Sequence, residues 1–185
     1  RDSRYGYSVQ ANWRAWEKSY TLGRCNDIQS QFYQPKSTCE LFDTQKDPWH
    51  INGLAGLPEF QERLEKLSGE LDQWMIETRD IGLIPEPLFH DLTGENRKHK
   101  TIYEYAQSAD YPVKEILDAA KNSSAGDPRK CAEYFQYLEN SHPVIRFWGA
   151  YALFLVRNED TKIQTALRAM IKKDGYAANR MMAAQ

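Results

Sequence analysis

The sequence has few of the residues from which metal centres and nucleophilic sites are built. Its 185 residues include three cysteines, Cys25, Cys39 and Cys131, and their spacing matches no C-x-x-C pair or zinc-binding pattern. The four histidines are dispersed, and the chain has no glycine-rich phosphate loop, H-E-x-x-H or G-x-S-x-G motif. The sequence therefore predicts no catalytic centre within this chain.

An excess of one charge and long apolar runs are also missing. The formal net charge is -2 at pH 7, which gives no basis for predicting a nucleic acid partner or an anionic membrane surface. No apolar run approaches the ~20 residues of a membrane-spanning helix. Hydrophobic residues make up 41% and charged residues 27% of the chain, as in an ordinary globular domain.

The two ends lack the signals of a complete chain. There is no initiating Met and no signal-peptide pattern, and residues 1–7 resemble the inside of a folded unit. Residues 181–185 form an apolar, helix-favouring run without a cap. We therefore expect a fragment of a longer protein, in which the absence of a targeting signal has no meaning.

Alternating residues near the start predict a β-strand over residues 4–12, because every second side chain is apolar or aromatic. Trp13 and Arg14 follow, and residues 1–36 hold six Lys or Arg against three Asp or Glu, a local charge of 6 − 3 = +3. Aromatic and basic side chains together suit stacking on a sugar ring while an anion is held. The alternative is that the tryptophans belong to the core and the cations are solvated.

The next segment predicts a loop, a second strand and a turn. Residues 20–37 are polar and without periodicity, which is typical of a long functional loop or lid. Residues 38–42 predict a strand, and residues 43–54 carry Asp, Pro, Asn and Gly in a turn pattern. Cys25 and Cys39 flank the loop, which leaves open either a disulfide in an exported protein or two ordinary thiols.

One long amphipathic helix is predicted over residues 57–80. Pro58 suits its first turn, and apolar residues recur every three or four positions: Leu57, Phe60, Leu64, Leu67, Leu71 and Trp74. Gly69 is expected to permit close packing. Since the stripe needs an apolar partner, we predict an α+β fold in which this helix lies across a small antiparallel β-sheet.

The remainder predicts short helices with clear start signals. Thr101 and Glu104 have the spacing of a capping box, Asp127-Pro128 is a cap followed by proline, and Pro143 opens a further helix. Arg146 with Gly149-Ala150 recurs as Arg180 with Ala183-Ala184, an interval of 180 − 146 = 34 residues. The interval predicts an all-α, HEAT-like repeat region, with an ordinary helical bundle as the alternative.

The central stretch resembles the C-terminal subdomain of sulfatases. The resemblance rests on Glu40-Leu41-Phe42-Asp43, on Lys46-Asp47-Pro48, on Ile51-Asn52-Gly53-Leu54-Ala55-Gly56 and on the run from Leu71 through Trp74 and Thr78 to Asp80. It is most similar to heparan N-sulfatase (sulfamidase) and its bacterial relatives. Phe42 stands where the family has Tyr, and Trp49-His50 where it often has a Pro-x-Glu pattern. We accordingly predict a sulfatase subdomain over residues 1–86, a linker over 87–100 and a truncated helical region over 101–185.

The resemblance implies that the catalytic machinery lies upstream. The family uses a formylglycine made from Cys or Ser in a C/S-x-P-x-R motif, together with a calcium ion. Ser141-His142-Pro143 approaches this motif, but Ile145 occupies the position that requires Arg. No catalytic or metal-binding residue is therefore predicted in this chain. The implied partners are an upstream α/β catalytic domain and a sulfated carbohydrate, and the implied location is periplasmic or extracellular.

Two functions are compatible with the sequence. The first is the C-terminal part of an exported sulfatase acting on sulfated sugars, in which Trp13 and Arg14 are predicted substrate-binding residues in a sugar-facing loop. The second is a non-catalytic α-helical repeat module that binds protein or glycan. A C/S-x-P-x-R motif upstream of Arg1 distinguishes the first from the second.

Overall fold

A computed structural model describes residues 10–156 and 160–185, and across them the chain is 63% helical and without a β-strand. The prediction of an α+β fold with an antiparallel sheet is therefore wrong, and the described chain is all-helical. The α-helices are α1 (Ala11–Thr21), α2 (Asp27–Ser30), α3 (Gln61–Thr78), α4 (Phe89–Leu92), α5 (Ile102–Gln107), α6 (Val113–Ser124), α7 (Cys131–Leu138), α8 (Pro143–Val156), α9 (Thr161–Lys173) and α10 (Ala177–Ala183). Short 3-10 helices span Gln31–Tyr33, Pro58–Phe60, Glu86–Leu88 and Pro128–Lys130.

The two predicted strands have different outcomes. Most of the first, residues 4–9, lies outside the described residues, and its last two positions, Ala11 and Asn12, begin α1 instead. Residues 38–42 are described and form no strand. The carboxylate of Asp43 accepts hydrogen bonds from the backbone N–H groups of Gln45 and Lys46, each at 3.1 Å. Such local side-chain bonds compete with strand pairing, and alternation alone does not provide a neighbouring strand.

The chain divides into two compact units, whose described parts are residues 10–64 and residues 65–156 with 160–185. We call them the N-terminal unit and the C-terminal unit. The division falls inside α3, after Leu64.

The predicted amphipathic helix exists as α3, but its apolar stripe is exposed. Leu67 is 45%, Leu71 54% and Trp74 55% exposed, and α3 has no buried residue. The stripe was predicted to cover a sheet, and none is found in the described part of the chain. A Cβ at Gly69 would meet nothing within 4 Å, so this glycine does not mediate close packing.

The core of the C-terminal unit is built around α8. This helix is the most apolar of the set and buries half of its 14 residues: Pro143, Val144, Ile145, Gly149, Ala150, Ala152 and Leu153. It packs against α6, α7 and α10. The predicted opening of this helix at Pro143 and the capping box of Thr101 with Glu104 are confirmed.

Polar bonds attach the segments before α8 to this core. Arg79, in the left-handed region at φ 54°, donates from its guanidinium to the backbone oxygens of Ala106, Ser108 and Tyr111. The indole N–H of Trp148 on α8 donates to the oxygen of Leu83 at 3.0 Å. Because buried carbonyl groups need partners, these donors stabilise the loops without regular backbone pairing.

Two sets of hydrogen bonds recur 34 residues apart. Arg146 Nη1 donates to the oxygen of Asn140 at 2.9 Å, and Arg180 Nη1 donates to the oxygen of Asp174 at 2.8 Å. The side chains of Asn140 and Asp174 each accept from the backbone N–H two residues later, at 2.7 and 2.8 Å. The intervals agree, since 180 − 146 and 174 − 140 are both 34. The sequence repeat is therefore also a repeat of local geometry.

An ion pair joins the two copies. Arg146 Nε lies 2.7 Å from Asp174 Oδ2, and the two side chains are only 15% and 3% exposed. Burial by itself raises the pKa of Asp174, but hydrogen bonds from Arg146, Tyr176 and Asn179 bring that pKa below its ordinary value. The pair therefore stays charged inside the unit.

We expect Gly149→Ala to destabilise the C-terminal unit by ~1–3 kcal/mol, the usual cost of overpacking a core. An added Cβ would lie 2.7 Å from Tyr137 Cβ and 3.0 Å from the Tyr134 oxygen. Urea unfolding measures the effect. Gly69→Ala on α3 is the matched control, and it is expected to stabilise by ~0.5–1 kcal/mol because its site is open. Equal effects of the two variants would contradict the packing described for α8.

Candidate functional site

A cleft of about 570 Å³ opens in the N-terminal unit. This volume is within the ~300–1,000 Å³ of small-molecule sites. Its walls come from the segment after α2 and from the turn that precedes α3. The lining residues are Gln31, Gln34, Pro35, Lys36, Ser37, Cys39, Glu40, Phe42, His50, Ile51, Gly53, Ala55 and Gly56.

Asp47 holds the turn that forms one wall. Its carboxylate accepts from the backbone N–H of Asn52 at 2.6 Å, its own N–H donates to the oxygen of Asp43 at 2.7 Å, and its oxygen accepts from His50 N–H at 3.1 Å. The hydrogen bond from Asn52 is the main cause that lowers the pKa of Asp47. The turn thus depends on the ionised carboxylate of Asp47, a residue that is only 9% exposed.

The turn brings two rings together on the cleft wall. The rings of Phe42 and His50 stack with centroids 5.0 Å apart and planes at 15°. His50 has φ 52°, a left-handed conformation that is uncommon for residues other than glycine. Such strain persists where the surroundings enforce it, and it is concentrated at functional sites.

Amide and charged side chains also line the cleft. Gln31 Nε2 donates to the oxygen of Ile51 at 3.2 Å, which ties the end of α2 to the turn. Lys36 and Glu40 are both exposed, and neither forms an ion pair with another described residue. An aromatic wall with amides and unpaired charges suits a polar ligand that has one apolar face.

The predicted site residues Trp13 and Arg14 lie elsewhere, on α1. Trp13 packs among aromatic rings, with centroids 5.3 Å from Trp16 and 5.2 Å from Phe32, and Arg14 is exposed. Neither lines the cleft. The segment that holds them is helical rather than a loop, and their role in sugar binding stays a prediction.

The cleft is not predicted from the sequence, although two features of the sequence point to its residues. Phe42 and His50 are two of the positions at which the central motif departs from the sulfatase pattern. Gln31 and Lys36 lie in the segment interpreted as a functional loop. That segment contains α2, which begins with a capping box made by Asn26 and Gln29. A 3-10 helix follows it.

The described residues contain three thiols and no cluster of candidate metal ligands. No group of three or more His, Cys, Asp or Glu side chains is placed to hold a metal ion there. Cys25, Cys39 and Cys131 are free thiols, so of the two alternatives left open for Cys25 and Cys39 the structure has the thiols. Among the described helices, none has the length and apolar character needed to cross a bilayer.

Comparison with known proteins relates part of the chain to a sulfatase. A stretch of 65 residues is 38% identical to the ulvan-active sulfatase of Formosa agariphila. The match covers 35% of this chain and 11% of the sulfatase, so the chain spans about a tenth of the curated relative that it matches. No family model matches the chain, and no solved structure matches it.

A second cluster of titratable side chains lies in the C-terminal unit. Asp110 Oδ2 is 2.7 Å from His99 Nε2 and 2.5 Å from Lys98 Nζ, and the hydrogen bond from Lys98 is the main cause that lowers the pKa of Asp110. The hydroxyl of Tyr105 lies 2.6 Å from His142 Nε2 and 3.1 Å from the backbone oxygen of Asp110. Most of these groups satisfy one another, although His142 Nδ1 is buried without a hydrogen bond among the described residues. We interpret the cluster as a brace between α5 and the start of α8.

We expect this brace to weaken in mild acid because burial lowers the pKa of His142 by more than the hydrogen bond with the Asp110 backbone raises it, and the charge of Arg146 lowers it further. The unfolded chain binds a proton near the ordinary pKa of 6.5 while the folded chain does not. The stability that depends on neutral His142 is therefore present above that pH and lost as the pH falls below it. Urea unfolding from about pH 7.5 to about pH 5 measures the loss.

His142→Gln is expected to reduce this pH dependence, because Gln keeps a polar group near Tyr105 without titrating. His90→Gln is the matched control, since His90 is exposed. A wild-type pH slope that survives in His142→Gln would show that another group causes it.

Proposed function

We propose that this chain is the C-terminal fragment of a sulfatase that hydrolyses sulfate esters or sulfamates of sulfated sugars. In this proposal the chain is a scaffold that forms part of the substrate cleft, and it does not contain the catalytic centre. The observation that carries the proposal is the 38% identity over 65 residues with the ulvan-active sulfatase.

The cleft supports the substrate part of the proposal. It combines the stacked rings of Phe42 and His50 with amides and the cation of Lys36. Ser37 and Cys39 also line the cleft, and the Ser37 hydroxyl donates to the backbone oxygen of Cys39 at 2.7 Å rather than to a side-chain base. We therefore assign the cleft to binding rather than to bond cleavage. The C/S-x-P-x-R motif is absent from the sequence, and the proposal therefore assigns formylglycine and calcium to an upstream α/β domain.

The exposed stripe of α3 supports a further domain as partner. Leu67, Leu71 and Trp74 are each about half exposed, and neighbouring apolar side chains of this kind favour burial against another protein surface. About nine-tenths of the matched sulfatase lies outside the match, which is ample for a catalytic domain. The finer assignments, a sulfamidase-like enzyme with an exported, periplasmic or extracellular location, belong to the same proposal.

A non-catalytic helical repeat module is the second candidate. The observation that favours it is the recurrence of the Arg146 and Arg180 hydrogen bonds at an interval of 34 residues. Stacked helical repeats of the HEAT-like kind bind protein or glycan through their exposed faces. The two candidates agree on the C-terminal unit and differ on whether a sulfatase domain precedes it.

We expect the isolated 185-residue chain to release no sulfate from aryl sulfates or heparin oligosaccharides, and the full-length parent to release it. Chromatographic measurement of free sulfate tests both. Turnover by the isolated chain would show that a catalytic centre lies within these residues. A parent reading frame without a C/S-x-P-x-R motif upstream of Arg1 would overturn the sulfatase proposal and favour the repeat module.

A further inference from the structure

We propose that the cleft of the N-terminal unit binds one sulfated sugar unit, with the sugar ring against the rings of Phe42 and His50 and the sulfate group at Lys36. The sulfated class of the ligand rests on the proposed function. The location and the mode of binding rest on the geometry of the cleft alone.

The stacked rings provide a surface for the apolar face of a sugar. Phe42 is partly buried, whereas His50 is exposed. The Phe42 ring therefore packs against the protein, and the His50 ring is accessible to a ligand. A pyranose ring presents C–H groups on its face, and these groups pack favourably on an aromatic ring, whose face carries partial negative charge. The two planes lie at 15°, so Phe42 supports one face of the His50 ring and the other face of that ring is available to the sugar.

The turn fixes the position of the exposed ring. His50 is held by its N–H bond to the oxygen of Asp47, and the carboxylate of Asp47 is in turn held by Asn52. These bonds hold the backbone at His50, and the stack on Phe42 holds its ring. A ring placed before the ligand arrives loses little conformational freedom on binding, which favours affinity.

The amides that line the cleft are suited to hydroxyl groups. Gln31 and Gln34 donate through Nε2 to the oxygen of Ile51 and to the hydroxyl of Tyr20, at 3.2 and 3.4 Å. These bonds use the nitrogen and leave each Oε1 without a hydrogen bond among the described residues. Each oxygen is therefore available to accept from a sugar hydroxyl.

The charges at the cleft determine where an anion is accepted. Lys36 is exposed, lines the cleft and pairs with no described carboxylate, so its ammonium group is free to bind a sulfate. Glu40 also lines the cleft. Its carboxylate repels a sulfate and accepts from hydroxyls, which directs the acidic substituent toward Lys36 and away from Glu40.

The test is a calorimetric titration of the full 185-residue chain with sulfated tetrasaccharides prepared from heparin and from ulvan, and with the same sugars after desulfation. We expect at least one sulfated probe to bind saturably, with a dissociation constant of about 1 mM or tighter. The desulfated counterpart should bind about 3- to 10-fold more weakly, as expected for the loss of one charge-assisted contact.

Two variants separate the ring contact from the charge contact. His50→Gly removes the exposed ring while keeping the left-handed backbone that glycine adopts without strain, and it should weaken both sulfated and desulfated probes about 3- to 10-fold. Lys36→Ala should weaken the sulfated probe to the affinity of the desulfated one and leave the latter unchanged.

Two controls match these variants. Trp49→Ala removes an aromatic side chain that is 82% exposed and does not line the cleft, and Lys46→Ala removes a cation of the same unit outside the cleft. Both should bind like the wild type. If Trp49→Ala or Lys46→Ala weakens binding as much as the cleft variants, the site lies elsewhere and the proposal is overturned.

The outcomes distinguish this inference from the proposed function. If neither sulfated probe binds up to about 10 mM, above the constants of weak sites, the cleft proposal is overturned while the sulfatase proposal, tested by sulfate release from the parent, stands. If the probes bind but the parent releases no sulfate, the sulfatase proposal is overturned while the cleft is still a sugar-binding site. Equal affinity for sulfated and desulfated probes overturns the role of Lys36.

Discussion

The C-terminal unit depends on the close approach of α7 and α8 at Gly149. With no side chain at this position, the helix backbone lies against Tyr137 and the oxygen of Tyr134. Tyr134 is then fully buried, and its hydroxyl accepts from Asp127 N–H at 3.1 Å and donates to the oxygen of Asn122 at 3.0 Å. One close contact therefore places a tyrosine that also stabilises the connection between α6 and α7.

Features that depend on neighbouring residues in the sequence were predicted correctly, and features that depend on a distant partner were not. The capping box of Thr101 with Glu104 and the helix opening at Pro143 depend on residues within one turn, and both are found in the structure. The strand over residues 38–42 required a neighbouring strand, and the carboxylate of Asp43 instead closes a local turn. The helix over residues 57–80 was recognised, but a periodic stripe does not reveal whether a partner covers it.

The candidate site was less predictable because its residues are brought together by turns rather than by regular elements. Phe42 and His50 are eight positions apart and meet because Asp47 folds the intervening chain. Gln31 comes from a segment without periodicity and reaches the turn through its bond to Ile51. Side-chain bonds of this kind have no repeating spacing, so the sequence indicates a turn without identifying the surface that it creates.

The buried ion pair of the C-terminal unit and the exposed lysine of the cleft carry charges in different environments. In the C-terminal unit, Arg146 and Asp174 are almost fully buried and satisfy each other. Breaking such a pair is costly because one charge would stay buried and unpaired, so these charges serve the fold. In the N-terminal unit, Lys36 is exposed and without an ionic partner among the described residues. An exposed charge contributes little to stability, and it keeps its full capacity to bind an ion from solution. Its position in a cleft with a stacked aromatic wall is the basis of the binding that we propose for this cleft.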